Sequence, residues 1–171
     1  METSMRPIIC GLALIWALTG FAAASNPDAA FYKHAAEGGM AEVQMGQLAQ
    51  DKSSNAAVKD FGAMMVKDHS AANEKLKSLA ASKNIELPTS PSIGQMATKG
   101  KLEILSGDTF DKSYITGMIK DHKEDIADFK KEATSGRDPD AKAYAAATLP
   151  TLRVHLKSIE SIAAKAGVSE H

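Results

Sequence analysis

The residues best placed to do chemistry are three histidines, His69, His122 and His155, each near the middle of a long stretch of helical periodicity. The first two close one repeated phrase, Met65-Val66-Lys67-Asp68-His69 and Met118-Ile119-Lys120-Asp121-His122. In each copy the histidine follows a methionine by four residues and so lies on the stripe that a helix turns toward its core. A single imidazole on an apolar face is usually a core residue with one hydrogen-bond partner. Three of them on three helices are a heavier burden. Each one left without a partner costs about 1–3 kcal/mol, against a total stability of ~5–15 kcal/mol. A shared metal ion or a buried polar network would relieve all three. Three imidazoles with a carboxylate suit one transition-metal ion, whether zinc, copper, iron, manganese or nickel.

Glu42 is the carboxylate on the right helix face, in line with Met45 and Ala49. Depth argues differently. A first helix pair folded about a turn near Ser53 sets Glu37 level with His69 and Glu42 ~8 Å away from that level. Glu37 and His34, one helical turn apart, are therefore the alternative donors, set against a solvated polar face. Asp68 and Asp121 precede their histidines by one residue, about 100° around the helix. They are placed to accept a hydrogen bond from an imidazole of a neighbouring helix, or to pair with lysines on the rim. A di-iron carboxylate centre needs Glu-x-x-His on two helices, and no such pair occurs. The expectation is thus a single ion. Methionines 40, 45, 64, 65, 96 and 118 offer soft sulfur but read more naturally as flexible core filler. No nucleophile with a paired base stands out, so hydrolytic chemistry is not expected.

Alanine-rich, aromatic-poor composition without period-two runs predicts an all-α chain. Helices are expected from just after Asn26-Pro27, with Asn able to cap and Pro favourable at the first position, to about Gln50, from about Ala56 to Lys83, from about Thr109 to Thr134, and from about Pro139 to Lys165. Pro150 should kink or break the last one just before His155. Glycines 38, 39 and 46 weaken the first helix by about 1 kcal/mol each, leaving room for a neighbouring backbone or for something between helices. Ser92 to about Leu105 is a shorter helix, and a piece in that position can carry the chain back along the bundle. Residues 1–24 have a charged start, an apolar run from Ile8 to Leu18 and a small-x-small site before Ser25, the grammar of an export signal. Its removal leaves one domain, 25–171, with no cysteine and no expected transmembrane segment. Near-neutral charge without a basic stripe makes nucleic acid an unlikely partner.

Phe31 with Ala36-Glu37-Gly38-Gly39-Met40-Ala41-Glu42, the two Lys-Asp-His phrases, Gly107-Asp108-Thr109-Phe110-Asp111 and Leu149-Pro150-Thr151-Leu152-Arg153-Val154-His155 occur in one order along the chain. That ordered set resembles the DUF4142 family from about Phe31 to Leu156. The resemblance implies an exported bacterial protein, periplasmic or associated with the outer membrane, and a ferritin-like up-down four-helix bundle with a short crossover helix between its second and third long helices. It implies no established activity. Three readings follow. One is a metal-binding bundle with His69, His122, His155 and Glu42. Another is a metal-free envelope module whose histidines form a polar network, with an envelope partner or a second copy as its contact. The last is a loose haem between His155 and a methionine of the first helix.

Overall fold

The computed structural model describes residues 26–168, and the expected export signal lies outside them. These residues form five helices and no strand: α1 (Ala29–Lys52), α2 (Ala56–Ser82), α3 (Ile93–Glu103), α4 (Gly107–Ser135) and α5 (Pro139–Ala166). Local chemistry sets their ends. Asn55 caps α2 by accepting from the Ala57 N–H at 2.9 Å. Ser92 and Gln95 close a capping box on α3. Pro139 opens α5 behind its cap Asp138, and Gly167, in the left-handed region at φ 64°, ends it.

Two expectations are corrected. α1 begins after Asn26-Pro27 as expected, but its cap is Asp28, so Asn26 does not cap it and Pro27 is not its first residue. Asn26 instead accepts from the Asp28 N–H at 2.8 Å and donates to the Asp138 carboxylate at 2.6 Å. The Asp28 carboxylate accepts the backbone N–H groups of Arg137 and Asp138. The segment is held by the start of α5, and helix winding waits until Ala29. Of the kink or break expected at Pro150, the break does not occur: α5 runs unbroken through it. Both Pro150 and Ala146, whose carbonyl loses its donor, are exposed, so water can take the place of the missing bond.

α1 packs chiefly on α2 and α4 chiefly on α5, and the two pairs meet along α2–α5 and α1–α4. Lys83, at the end of α2, bridges Asp138 (2.9 Å) and Asp140 (2.7 Å) at the start of α5. At the other end, Ser53 after α1 donates to Asp111 in the first turns of α4 at 2.5 Å. Hence α1 and α5 run one way, α2 and α4 the other, and α3 with its linkers returns the chain along the whole bundle. This is the expected four-helix bundle with its crossover. Neighbouring helices are antiparallel and the diagonal pairs parallel.

The interior is two apolar cores with a polar layer between them. One gathers Met45, Phe61, Met65, Phe110, Tyr114, Met118 and Ile159. The other gathers Tyr32, Leu76, Phe129, Ala145, Leu149 and Leu152. Along α2, α4 and α5, the buried polar residue between the two cores is His69, His122 or His155, and on α1 Glu42 is buried next to Ala41 at the edge of the first core. Glycine sets the spacing of α1 and α2: a Cβ on Gly46 would meet the Gly62 carbonyl at 2.6 Å, and one on Gly62 would meet that of Gly46 equally closely.

Candidate metal centre

His69 comes from α2, His122 from α4 and His155 from α5, all buried, with His122 fully so at 0% exposed. Ring centroids are 5.9 Å apart for His69–His122 and 5.4 Å for each of the other pairs. One ring nitrogen from each lies within 4.8 Å of the other two. The expected triad is thus brought together by three helices.

In two of the rings the hydrogen bonds fix which nitrogen carries the proton. His122 Nδ1 is 2.9 Å from the Met118 carbonyl, which can only accept, so Nδ1 holds the proton and Nε2 a bare lone pair. His155 Nε2 donates to Asp68 Oδ2 at 3.0 Å, leaving Nδ1 bare. Three ring nitrogens end without any partner: His69 Nε2, His122 Nε2 and His155 Nδ1. Burial, with the neighbouring imidazoles adding to it, lowers His69 to about 3. Burial likewise lowers His122 to about 4, against the opposing bond to Met118, and lowers His155 against the pull of Asp68. The rings are neutral at pH 7, the form that ligates metal. Their chemistry fits one ion well. Three unpartnered nitrogens, two of them bare, belong to one buried layer, and two rings have the opposite nitrogen anchored, one on a carboxylate and one on a backbone carbonyl, an arrangement that recurs behind metal-binding histidines.

The carboxylates divide. Asp68 meets His155 of the neighbouring helix, one of the two roles its position allowed. Asp121 is half-buried beside Lys120 and Glu124, and burial raises its carboxyl. Glu42 is 2% exposed, with Oε1 3.8 Å from His122 Nδ1 and Oε2 unpartnered. It therefore stands behind the His122 ring, on the edge committed to Met118, and outside the three-histidine group. Burial, then Asp125 and Asp121, raise its carboxyl well above its ordinary value. His34 is exposed, and Glu37 pairs loosely with Lys33 at 3.9 Å, so neither joins the layer.

The depth argument for Glu37 fails because the turn is not centred on Ser53. Gly46 faces Gly62, and Gly39 faces Asn73. His69 lies between Gly62 and Asn73, so its level on α1 falls between Gly46 and Gly39, a stretch that contains Glu42 and excludes Glu37. Two further residues escaped the sequence reading. Tyr114, one of the core residues, has a buried hydroxyl with no partner, raised well above its usual range by burial and then by Glu42. Asp125, one turn after His122, is raised to about 7 by burial and by Asp121, Asp128 and Glu124. Its spacing from His122 put it near the same helix face, but without a partner phrase in α2 it gave no signal.

A family model described as "Domain of unknown function (DUF4142)" matches residues 17–162. Among curated proteins none matches the chain. A crystal structure of a DUF305 protein from Streptomyces coelicolor, called a secreted protein, superposes with a TM-score of 0.73 at 15% identity. The match covers 85% of this chain and 96% of that one, and at this identity it speaks for the fold alone. No described helix is long and apolar enough to cross a membrane.

Proposed function

The chain belongs to the DUF4142 family, a domain of unknown function, and from that premise we propose that it is an exported bundle that binds a single transition-metal ion between His69, His122 and His155, in metal handling or in the response to metal or oxidative stress. The observation that carries this reading is the set of three unpartnered ring nitrogens in one buried layer. Left as they are, they cost about 1–3 kcal/mol each, and one shared ion removes all three penalties. Asp68 would hold His155 in the ligating tautomer, and Met118 would do so for His122. Glu42 would stand behind the His122 ring, 3.8 Å from Nδ1, rather than serve as a donor.

Export is supported by the signal grammar of residues 1–24, by the neighbour called a secreted protein and by the lack of a spanning helix among the described residues. Periplasmic residence or association with the outer membrane follows from the family resemblance and belongs to the same proposal.

The metal-free network is the competing reading, and it draws on the His155–Asp68 and His122–Met118 bonds. It leaves three ring nitrogens without a partner. Haem between His155 and a methionine of α1 does not fit. The cavity that reaches the layer, at His69, is about 20 Å³, whereas cofactor sites take roughly 300–1,000 Å³, and His155 Nε2 is already bonded to Asp68. The deciding experiment is titration of the mature, untagged protein with Zn(II) and Co(II), alongside a variant with all three histidines replaced by glutamine. Saturable uptake of one ion by wild type and none by the variant is expected. Equal behaviour of the two proteins would refute the proposal.

A further inference from the structure

A buried ligand set needs a way in, and two adjoining cavities mark one. The first is a surface cleft of about 390 Å³ between α1 and α4, lined among others by Asp28, His34, Asp125, Asp128 and Glu132, with Lys131 the one Lys or Arg on its described lining. The second is the 20 Å³ cavity, enclosed by all four long helices, which touches Gly38, Gly39, Asn73, Asp125, Thr148 and His69. It is large enough for one water or one ion. His69 is 7% exposed and its Nε2 has no partner. Asp125 lines both cavities. It has no hydrogen bond or ion pair among the described residues, and the charges acting on it are all acidic.

The glycines keep the inner cavity open. A Cβ on Gly39 would drive into Asn73 Oδ1 at 2.0 Å, so only glycine lets Asn73 take its place on the wall. A Cβ on Gly38 would meet Asp125 Oδ1 at 3.8 Å, an ordinary contact, and would narrow the passage without a clash. Clefts lined by one sign of charge concentrate counter-ions and raise their rate of entry.

Resting on the metal reading above, we propose that divalent transition-metal cations reach the three histidines through the acidic α1–α4 cleft, and that Asp125 is the carboxylate that hands them from the cleft to His69. The proposal assigns Asp125 a loading role, distinct from the holding role of the histidines. It also gives Gly38 a role that its helix propensity opposes.

The test is stopped-flow uptake of Zn(II), followed by competition with a chromophoric chelator, and of Co(II), followed by its absorbance, using metal-free mature protein. Asp125→Asn keeps the shape and removes the charge. It should slow uptake by about three- to tenfold and weaken the dependence of the rate on salt. Gly38→Val should slow uptake and release together and leave Kd unchanged, because a narrowed passage alters both rates equally. Gly38→Ala, whose Cβ fits, serves if the valine disturbs the fold. Asp128→Asn, on the exposed outer rim, should have a smaller effect in the same direction. Wild type that takes up neither ion would remove the metal reading and this route with it. Wild type that loads normally while all variants load at its rate would overturn the route alone.

Discussion

Replacing His69 by leucine should make the metal-free protein more stable and the metal-loaded protein less so. His69 makes no hydrogen bond within the described chain, and its Nε2 is buried without a partner. Removing that nitrogen relieves about 1–3 kcal/mol, while leucine's different shape returns up to ~1 kcal/mol of strain. The metal-free variant should gain roughly 1–2 kcal/mol, a rise in Tm of about 2–8 °C for a bundle of this size. Zinc at a hundred times its Kd stabilises wild type by ~2.7 kcal/mol and the variant not at all, so the order of stability reverses. Acid enlarges the metal-free difference. The His69 pKa falls from its ordinary 6.5 to about 3 on folding, so from pH 6.5 downward the unfolded chain binds a proton that the folded chain refuses. Wild type loses up to ~1.4 kcal/mol per pH unit on this account, down to pH 3, and the variant escapes that loss. Thermal unfolding with chelator and with zinc, at pH 7 and pH 5, measures all of this. A metal-free variant less stable than wild type, with an undiminished zinc response, would refute the reasoning.

Asp68→Asn should leave the fold intact, since Asp68 is half-buried, and weaken metal affinity about 10- to 100-fold by loosening the anchor on His155; isothermal titration of both proteins decides. Gly46→Ala should destabilise by about 1–3 kcal/mol, because its Cβ meets backbone on α2. Gly38→Ala should be neutral or gain up to ~1 kcal/mol of helix propensity, and urea melts of the pair would expose any error in the α1–α2 spacing. Glu132→Gln should flatten the pH dependence of stability. The Glu132 carboxyl is raised to about 7 by burial and by Asp28, so its contribution is complete below its ordinary value of 4.5 and is lost as pH rises through 7. A Glu132→Gln protein whose Tm still falls across that window in parallel with wild type would show that another group is responsible.

The four long helices were legible because helical periodicity runs through each of them, with caps at α2 and α5 agreeing. The triad was legible because a histidine took a core position four residues after Met65 and again after Met118. What the sequence hides is how helices settle against one another. The level of Glu42 depends on the Gly46–Gly62 contact, in which two backbones meet. A turn length read from Asp51 to Asn55 does not reveal that contact. The same holds for Asn26, which looks like a helix cap and instead binds Asp138, more than a hundred positions away. Pro150 broke nothing because its outward side is set by packing on α2 and α4. Asp125 acquires its significance from two cavities that no single helix contains.

The most direct test is the metal content of mature protein purified without a histidine tag, with Tm measured before and after chelation and after adding Zn, Cu, Fe or Mn. A bound ion at three neutral imidazoles predicts about one equivalent taken up per chain, a fall in Tm on chelation and its recovery on re-addition. Less than about a tenth of an equivalent of any transition metal, with a Tm that none of the four ions raises, would contradict it.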